Sequence, residues 1–170
     1  VSPDFYAWLQ SDPEDVRSRM IADCTVAPGG DPDYHTGYYP LKYPGNAGAS
    51  VPAYVNNIKV IRLSEMLMIA AEAALAQGQD ASPYVNILRK NRITGYSDVS
   101  SVTLDDILNE RRKEFFAEGQ IAFDYWRNGR TIVNGSLSTG PQNYLTVLPL
   151  PKEETDLSKG LLEQNPGYGN

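Results

Sequence analysis

The chain has 170 residues, 41% of them hydrophobic and 21% charged, the composition of one globular domain with an ordinary core. A formal net charge of −6 and a pI near 4.8 argue against nucleic acid and anionic membrane surfaces as partners, since both reward basic patches. A single Cys and a single His exclude an internal disulfide, a thiolate zinc site and most His-based metal sites, and no apolar run approaches the roughly 20 residues that a membrane helix needs.

The chain opens on "VSPDFYAWLQ" without an initiator Met, and reads as part of something longer. "IADC", ending at Cys24, has the outline of a lipoprotein cleavage box, but the charged "SDPEDVRSRM" stands where an apolar stretch would have to precede it. Residues 1–57 read as an irregular, aromatic-rich segment. Within it, 25–57 is rich in Gly and Pro, which predicts loops with short strands. This stretch holds Tyr34, Tyr38, Tyr39, Tyr43 and Tyr54 beside His35.

From Ile61 the periodicity becomes helical. "IRLSEMLMIAAEAALAQG" predicts a helix with Leu63, Leu67, Ala70 and Ala74 on one stripe and Gly78 as its stop, apolar almost all round, with Glu65 or Glu72 semi-buried. "ASPYVNILRKNRITGY" predicts a helix from about Ser82 to Ile93, with Pro83 in its first turn and Gly95 at its end. Thr103 followed by Asp105 and Asp106 predicts an N-terminus for the next helix, which Gly119 interrupts, and a short helix spans about 120–128. Two helix pairs, 61–93 and 103–128, thus repeat at a period of roughly 40 residues, as helical-repeat scaffolds do. The tail, 131–170, carries a strand-like "YLTVLPL" whose prolines force an extended path, and it is expected to wrap over the helices.

Projected at 100° per residue, the helix from Leu104 places Arg111 and Glu118 within the apolar arc of Leu104, Leu108 and Phe115. Charges on a buried face need counter-charges, and Glu65, Glu72, Arg89, Asp124 and Arg127 are the candidates. Two readings follow. In one, Glu118 with Glu114 or Asp124 forms a catalytic carboxylate pair for glycoside or ester hydrolysis. In the other, Arg111, Glu118, Asp124 and Arg127 form a structural ion network. The second is favoured, because Arg111, Arg112, Arg127 and Arg130 would lower carboxylate pKa values, the opposite of what a general acid needs. No nucleophile elbow or phosphate loop appears either.

The chain resembles the C-terminal region of the SusD/RagB outer-membrane nutrient-binding lipoproteins, nearly from end to end. "DVRSRM" is similar to that family's D-x-R element, "LKYPG" to its K-Y element, "VIRLSEMLMIAAEA" to its R-L-x-E and A-E-A helix, and "VNILRKNRITGY" to its N-x-x-R helix. "ILNERRKEFFAEGQIAFDYWRNG" is similar to its E-R-R-x-E, E-G and F-D-x-x-R-x-G signature, and "LPLPKEE" with "LLEQNPGY" to its closing elements. Ile121, Tyr125 and Asn128 depart from that pattern. The resemblance implies a mainly α fold: tandem helical hairpins of tetratricopeptide-like type, with irregular loops and short strands, over 1–170. It also implies a non-catalytic glycan-binding protein, lipid-anchored on the cell-surface side of the outer membrane when full length, that delivers an oligo- or polysaccharide to a SusC-like TonB-dependent transporter. No cofactor, metal or nucleic acid is expected. Aromatic rings stack on the apolar faces of sugars, which makes Tyr34, His35, Tyr38 and Tyr39 the candidate ligand-binding residues, unless they pack the loop onto the helices. A helical-repeat protein-docking module without its own sugar site is the alternative.

Overall fold

Ser2 and Pro3 start the first helix: the Ser2 hydroxyl accepts from the Phe5 amide at 3.3 Å, and Pro3 sits in the first turn, where no N–H is missed. The computed structural model describes residues 1–26, 36–43, 60–134 and 137–169, and the chain divides into two units, Val1–Glu118 and Gly119–Asn170. In the first, α1 (Pro3–Gln10) leads through a 3-10 turn (Val16–Met20) to β1 (Ile21–Cys24). β1 pairs antiparallel with β2 (Gly37–Pro40), setting Ala22 opposite Tyr39 and Asp23 opposite Tyr38. Then come α2 (Leu63–Ala76), α3 (Ser82–Lys90) and α4 (Leu104–Glu114). The fold is mainly α, as expected.

The helix α1 departs from the irregular first segment read in the sequence. Phe5 and Leu9, four apart and so on one face, bury against Ile21 and Phe116, and Tyr6, Trp8, Met20 and Tyr38 pack around them. A second core joins α2, α3 and α4 through Met68, Ala71, Ala74, Val85, Leu88, Ile107 and Phe115. The buried stripe of α2 is Ser64, Met68, Ala71 and Ala74, whereas Leu63 is 76% exposed. Of the predicted stripe, Ala74 is buried and Leu67 packs against the core, but the buried line runs through Ser64, Met68 and Ala71 instead of Leu63 and Ala70, because a helix apolar almost all round does not fix its own rotation. Here the small residues Ser64, Ala71 and Ala74 face inward. Glu65 and Glu72 are both half-buried.

Thr103 caps α4 as predicted, with a full capping box: its hydroxyl accepts from the Asp106 amide at 3.2 Å while the Asp106 carboxylate accepts from the Thr103 amide at 2.8 Å. The helix was expected to run on to Gly119, yet it stops at Glu114. Phe115 belongs to the α2–α3–α4 core and Phe116 to the α1–β1 core. Consecutive helical residues point only about 100° apart, so serving two cores breaks the helix here. Ala117, at a left-handed φ of 61°, turns the chain onward.

The second unit holds α5 (Ile121–Arg127), the hairpin β3 (Ile132–Asn134) and β4 (Leu137–Thr139), a 3-10 turn (Tyr144–Thr146) and α6 (Lys152–Leu157). The strand predicted over 144–150 is absent among the described residues, because side chains take the place of a partner strand. Gln164 accepts from the Leu150 amide at 2.7 Å and donates to the Leu150 carbonyl at 2.9 Å. Asn165 donates to the Leu148 carbonyl at 2.7 Å, and the Tyr168 hydroxyl to that of Val147 at 2.9 Å. The "QNPGY" motif is thus a clamp on its own tail.

Met68→Ala opens a cavity in the helical core and is expected to cost about 2–5 kcal/mol, whereas Leu63→Ala changes stability by no more than about 0.5 kcal/mol. Urea denaturation of the two variants checks the rotation of α2, since equal losses would put Leu63 in the core.

Candidate functional site

The residues of the charged signature gather in the first unit around one carboxylate. Glu114, at the last position of α4, is 3% exposed and accepts from Arg17 Nη1 at 3.3 Å, Arg62 Nη1 at 2.8 Å and Arg92 Nη2 at 2.9 Å. These guanidiniums come from the 3-10 turn after α1, the N-cap of α2 and the turn that follows α3. One turn earlier Glu110, also 3% exposed, lies 2.7 Å from both Arg17 Nη2 and Arg89 Nε. Asp15 is fully buried and grips Arg17 at both ends, Oδ1 accepting from Nε at 2.8 Å and Oδ2 from Nη2 at 2.7 Å. The backbone repeats the tie: Val16 N–H donates to the Arg92 carbonyl at 2.8 Å and Thr94 N–H to that of Glu14 at 3.0 Å.

Glu118 enters this cluster from beyond the helix. The turn at Ala117 carries its carboxylate to Lys42, with which it makes a short ion pair, and to Arg62 Nη2 at 2.8 Å. Arg111 is 3% exposed, its guanidinium 5.0 Å from the centre of the Phe115 ring. In the second unit Asp124 is 1% exposed and ion-paired with Arg127, three residues on, while Asn128 donates to the Asp124 carbonyl at 2.9 Å. Of the counter-charges anticipated for Glu118, none is among its partners given above, which are Lys42 and Arg62. The helical projection did not reach them because Glu118 lies four residues past the end of α4. The signal that points to them is motif membership: Asp15 and Arg17 form the D-x-R element, Lys42 opens the K-Y element, Arg62 opens R-L-x-E, and Glu110 and Glu114 are the acids of E-R-R-x-E.

Burial by itself would raise the Glu114 carboxyl, but hydrogen bonds from Arg92 and Arg62 and the charge of Arg17 outweigh it and hold it near about 2, below its ordinary 4.5. Glu118 is lowered as well, its desolvation offset by Lys42 and then by Tyr43 and Arg62, and so is Asp15, where Arg17 offsets burial. Burial, reinforced by the Glu118 carboxylate, pushes the Tyr43 phenol up to about 12. A carboxylic acid poised to give up a proton near neutrality needs the opposite surroundings, so this cluster does not suit a general acid.

Of the aromatic candidates, Tyr34 and His35 lie outside the described residues. Tyr38 and Tyr39 occupy neighbouring positions of β2, so their side chains leave opposite faces of the two-stranded sheet. Tyr38 stacks on Tyr6 with ring centres 4.2 Å apart and planes 20° apart, and is half-buried, whereas Tyr39 is 41% exposed. The hairpin therefore offers one outward ring and one fixed by α1. Trp126, half-buried, donates to the Thr139 carbonyl at 3.2 Å and meets Phe123 edge-on. Groups of acidic, Cys and His side chains able to hold a metal ion do not occur among the described residues.

The first unit is thus a mainly helical scaffold with its signature charges turned inward and a tyrosine-bearing hairpin. The pattern of the SusD family matches residues 23–168, and the chain belongs to that family, whose members are non-catalytic binding proteins. The chain is 31% identical over 121 residues to the starch-binding protein SusD of Bacteroides thetaiotaomicron, a match that covers 66% of this chain and 22% of that protein. A SusD superfamily structure from the same organism superposes with a TM-score of 0.82 at 37% identity, covering 97% of this chain and 40% of the other. Surface glycan-binding protein A, also from Bacteroides thetaiotaomicron, superposes with a TM-score of 0.76 at 26% identity over 98% of this chain and 41% of its own. The chain spans well under half of these relatives' length.

Because the Glu114 carboxyl lies lower in the folded than in the unfolded chain, its stabilisation is complete above about pH 5 and is lost as pH falls toward 2. The loss expected from Glu114 is on the order of 3 kcal/mol, with Glu118 and Asp15 adding in the same direction. Glu114→Gln at pH 7 leaves three guanidiniums facing an amide and is expected to cost about 3–5 kcal/mol and to flatten that acid limb. Lys90→Ala, which removes an exposed pair with Asp98, costs less than about 1 kcal/mol. Urea titrations from pH 7 to pH 2 on these variants measure both effects.

Proposed function

We propose that this chain is part of a non-catalytic glycan-binding protein on the outer face of the bacterial outer membrane, lipid-anchored when whole, that hands an oligo- or polysaccharide to a SusC-like TonB-dependent transporter. The observation that carries the reading is the sequence and structural likeness to a starch-binding protein and to a surface glycan-binding protein. Two features of this chain support it. The Glu114 carboxyl is held ionised by arginines, which suits a scaffold and not hydrolysis. Tyr39 presents an exposed ring, and a flat aromatic surface binds the C–H face of a sugar at low conformational cost. In this reading Tyr34, His35 and Tyr39 contact the ligand, Tyr38 contributes by holding β2 against α1, and Arg111, Glu118, Asp124 and Arg127 serve the scaffold.

A second reading, docking of a protein partner without a sugar site, is favoured by the outward apolar residues of α2, where Leu63, Met66 and Ile69 are 76%, 44% and 47% exposed. Affinity electrophoresis of the full-length protein in gels containing starch, xylan, mannan or pectin separates the two. Glycan binding predicts retardation in at least one gel, reduced at least fivefold in apparent affinity by Tyr39→Ala. Unchanged retention in Tyr39→Ala and Tyr38→Ala would remove the tyrosine site, and no retardation in any gel would favour docking. Co-purification with a transporter barrel from solubilised outer membranes tests delivery.

A further inference from the structure

The first unit contains a cleft of about 320 Å³ that none of the preceding roles uses, bounded by Trp8, Asp12, Tyr96, Asn109, Lys113 and the Arg89–Glu110 ion pair. That volume sits at the small end of sites for small organic ligands, roughly 300–1,000 Å³. We propose that this cleft is a saccharide subsite, taking one neutral sugar ring. The proposal rests on the glycan-binding reading but uses no residue of the tyrosine hairpin.

The walls are aromatic and fixed. Lys113 Nζ lies 5.2 Å from the Trp8 ring centre and the Arg112 guanidinium 5.4 Å, so the half-buried indole is held by cations of α4. Tyr96 is half-buried and anchored by its hydroxyl, which donates to Asn86 Oδ1 at 2.7 Å. The floor is rigid as well, because Glu110 is clamped between Arg89 and Arg17. At the rim, in contrast, the Asp12 carboxylate and the Asn109 amide make no hydrogen bond among the described residues. A carboxylate acceptor and an amide that both donates and accepts, lining one cleft with Trp8 and Tyr96 in its wall, are groups that read sugar hydroxyls.

The charges narrow the ligand. Asp12, Asp106 and Glu110 line the cleft and repel an anion, while the cations that might attract one are engaged: Arg89 with Glu110, and Lys113 with Trp8 and with Asp15 at 3.5 Å. An apolar ligand would leave Asp12 and Asn109 desolvated without partners. A neutral polyhydroxylated ring meets both limits. A cleft in the second unit, lined by Gln164, Asn165 and Tyr168, has committed amide and hydroxyl groups of these residues to carbonyls of the tail.

Titration calorimetry and saturation-transfer NMR on the full-length protein, with glucose, galactose, mannose, N-acetylglucosamine and glucuronate as probes, test the proposal. At least one neutral sugar is expected to bind with a Kd on the order of 1 mM, and glucuronate more weakly. Asp12→Ala and Asn109→Ala, both at the rim, should each raise that Kd about tenfold with an unchanged urea midpoint. Neutral-sugar binding indifferent to both rim substitutions, or glucuronate binding more tightly than every neutral sugar, overturns the subsite. Retardation by a polysaccharide that depends on Tyr39, with no monosaccharide bound, also overturns it and leaves the glycan-binding reading intact. The absence of both kinds of binding overturns the two together.

Discussion

Three guanidiniums converge on the Glu114 carboxylate, and the first unit is organised around keeping that charge out of water. A buried carboxylate is costly unless opposite charges and hydrogen bonds replace its hydration, so Arg17, Arg62 and Arg92 each have to reach one place. Each comes from a different segment, and the segments must therefore meet at α4. The apolar cores give attraction without direction, whereas the Asp15 grip on Arg17 and the Arg62 reach from the N-cap of α2 specify where those elements lie.

The existence of α2, α3 and α4 was legible in the sequence, whereas α1, α6 and the end of α4 were not. Thr103 and Asp106 announced the start of α4 through chemistry local to four residues, and the structure has both hydrogen bonds of that capping box. Its end depends on Phe115 and Phe116 entering different cores, which no local pattern reveals. From that one difference follows the position of Glu118: off the helix, reached through a left-handed alanine, and paired with Lys42 from a loop 76 residues earlier. The rotation of α2 was hidden for a related reason, since an almost uniformly apolar helix gives no angular information until its neighbours choose a side. Motifs carried what periodicity lacked, because the family pattern contains Asp15, Arg17, Lys42, Arg62, Glu110 and Glu114, residues that meet in space.

The aromatic residues divide by what already holds them. Tyr38 and Trp8 belong to the packing around Phe5 and Leu9, yet Trp8 also borders a cleft, and Tyr39 leaves the opposite face of β2. Composition could mark the aromatic-rich segment as unusual, but only strand alternation shows that adjacent tyrosines do not form a joint platform. α1, read as irregular, is the element that makes the distinction, because its Tyr6 covers Tyr38.

Arg17 and Glu114 are 97 residues apart in the chain. Closing so long a loop costs configurational entropy before any charge is neutralised, and it places this contact among the slow, non-local events of folding. During synthesis the arginines emerge well before the two glutamates that partner them, so the N-terminal part of the unit has a hydrated, cationic inner face until α4 arrives. The charge cluster therefore completes only when α4 supplies Glu110 and Glu114.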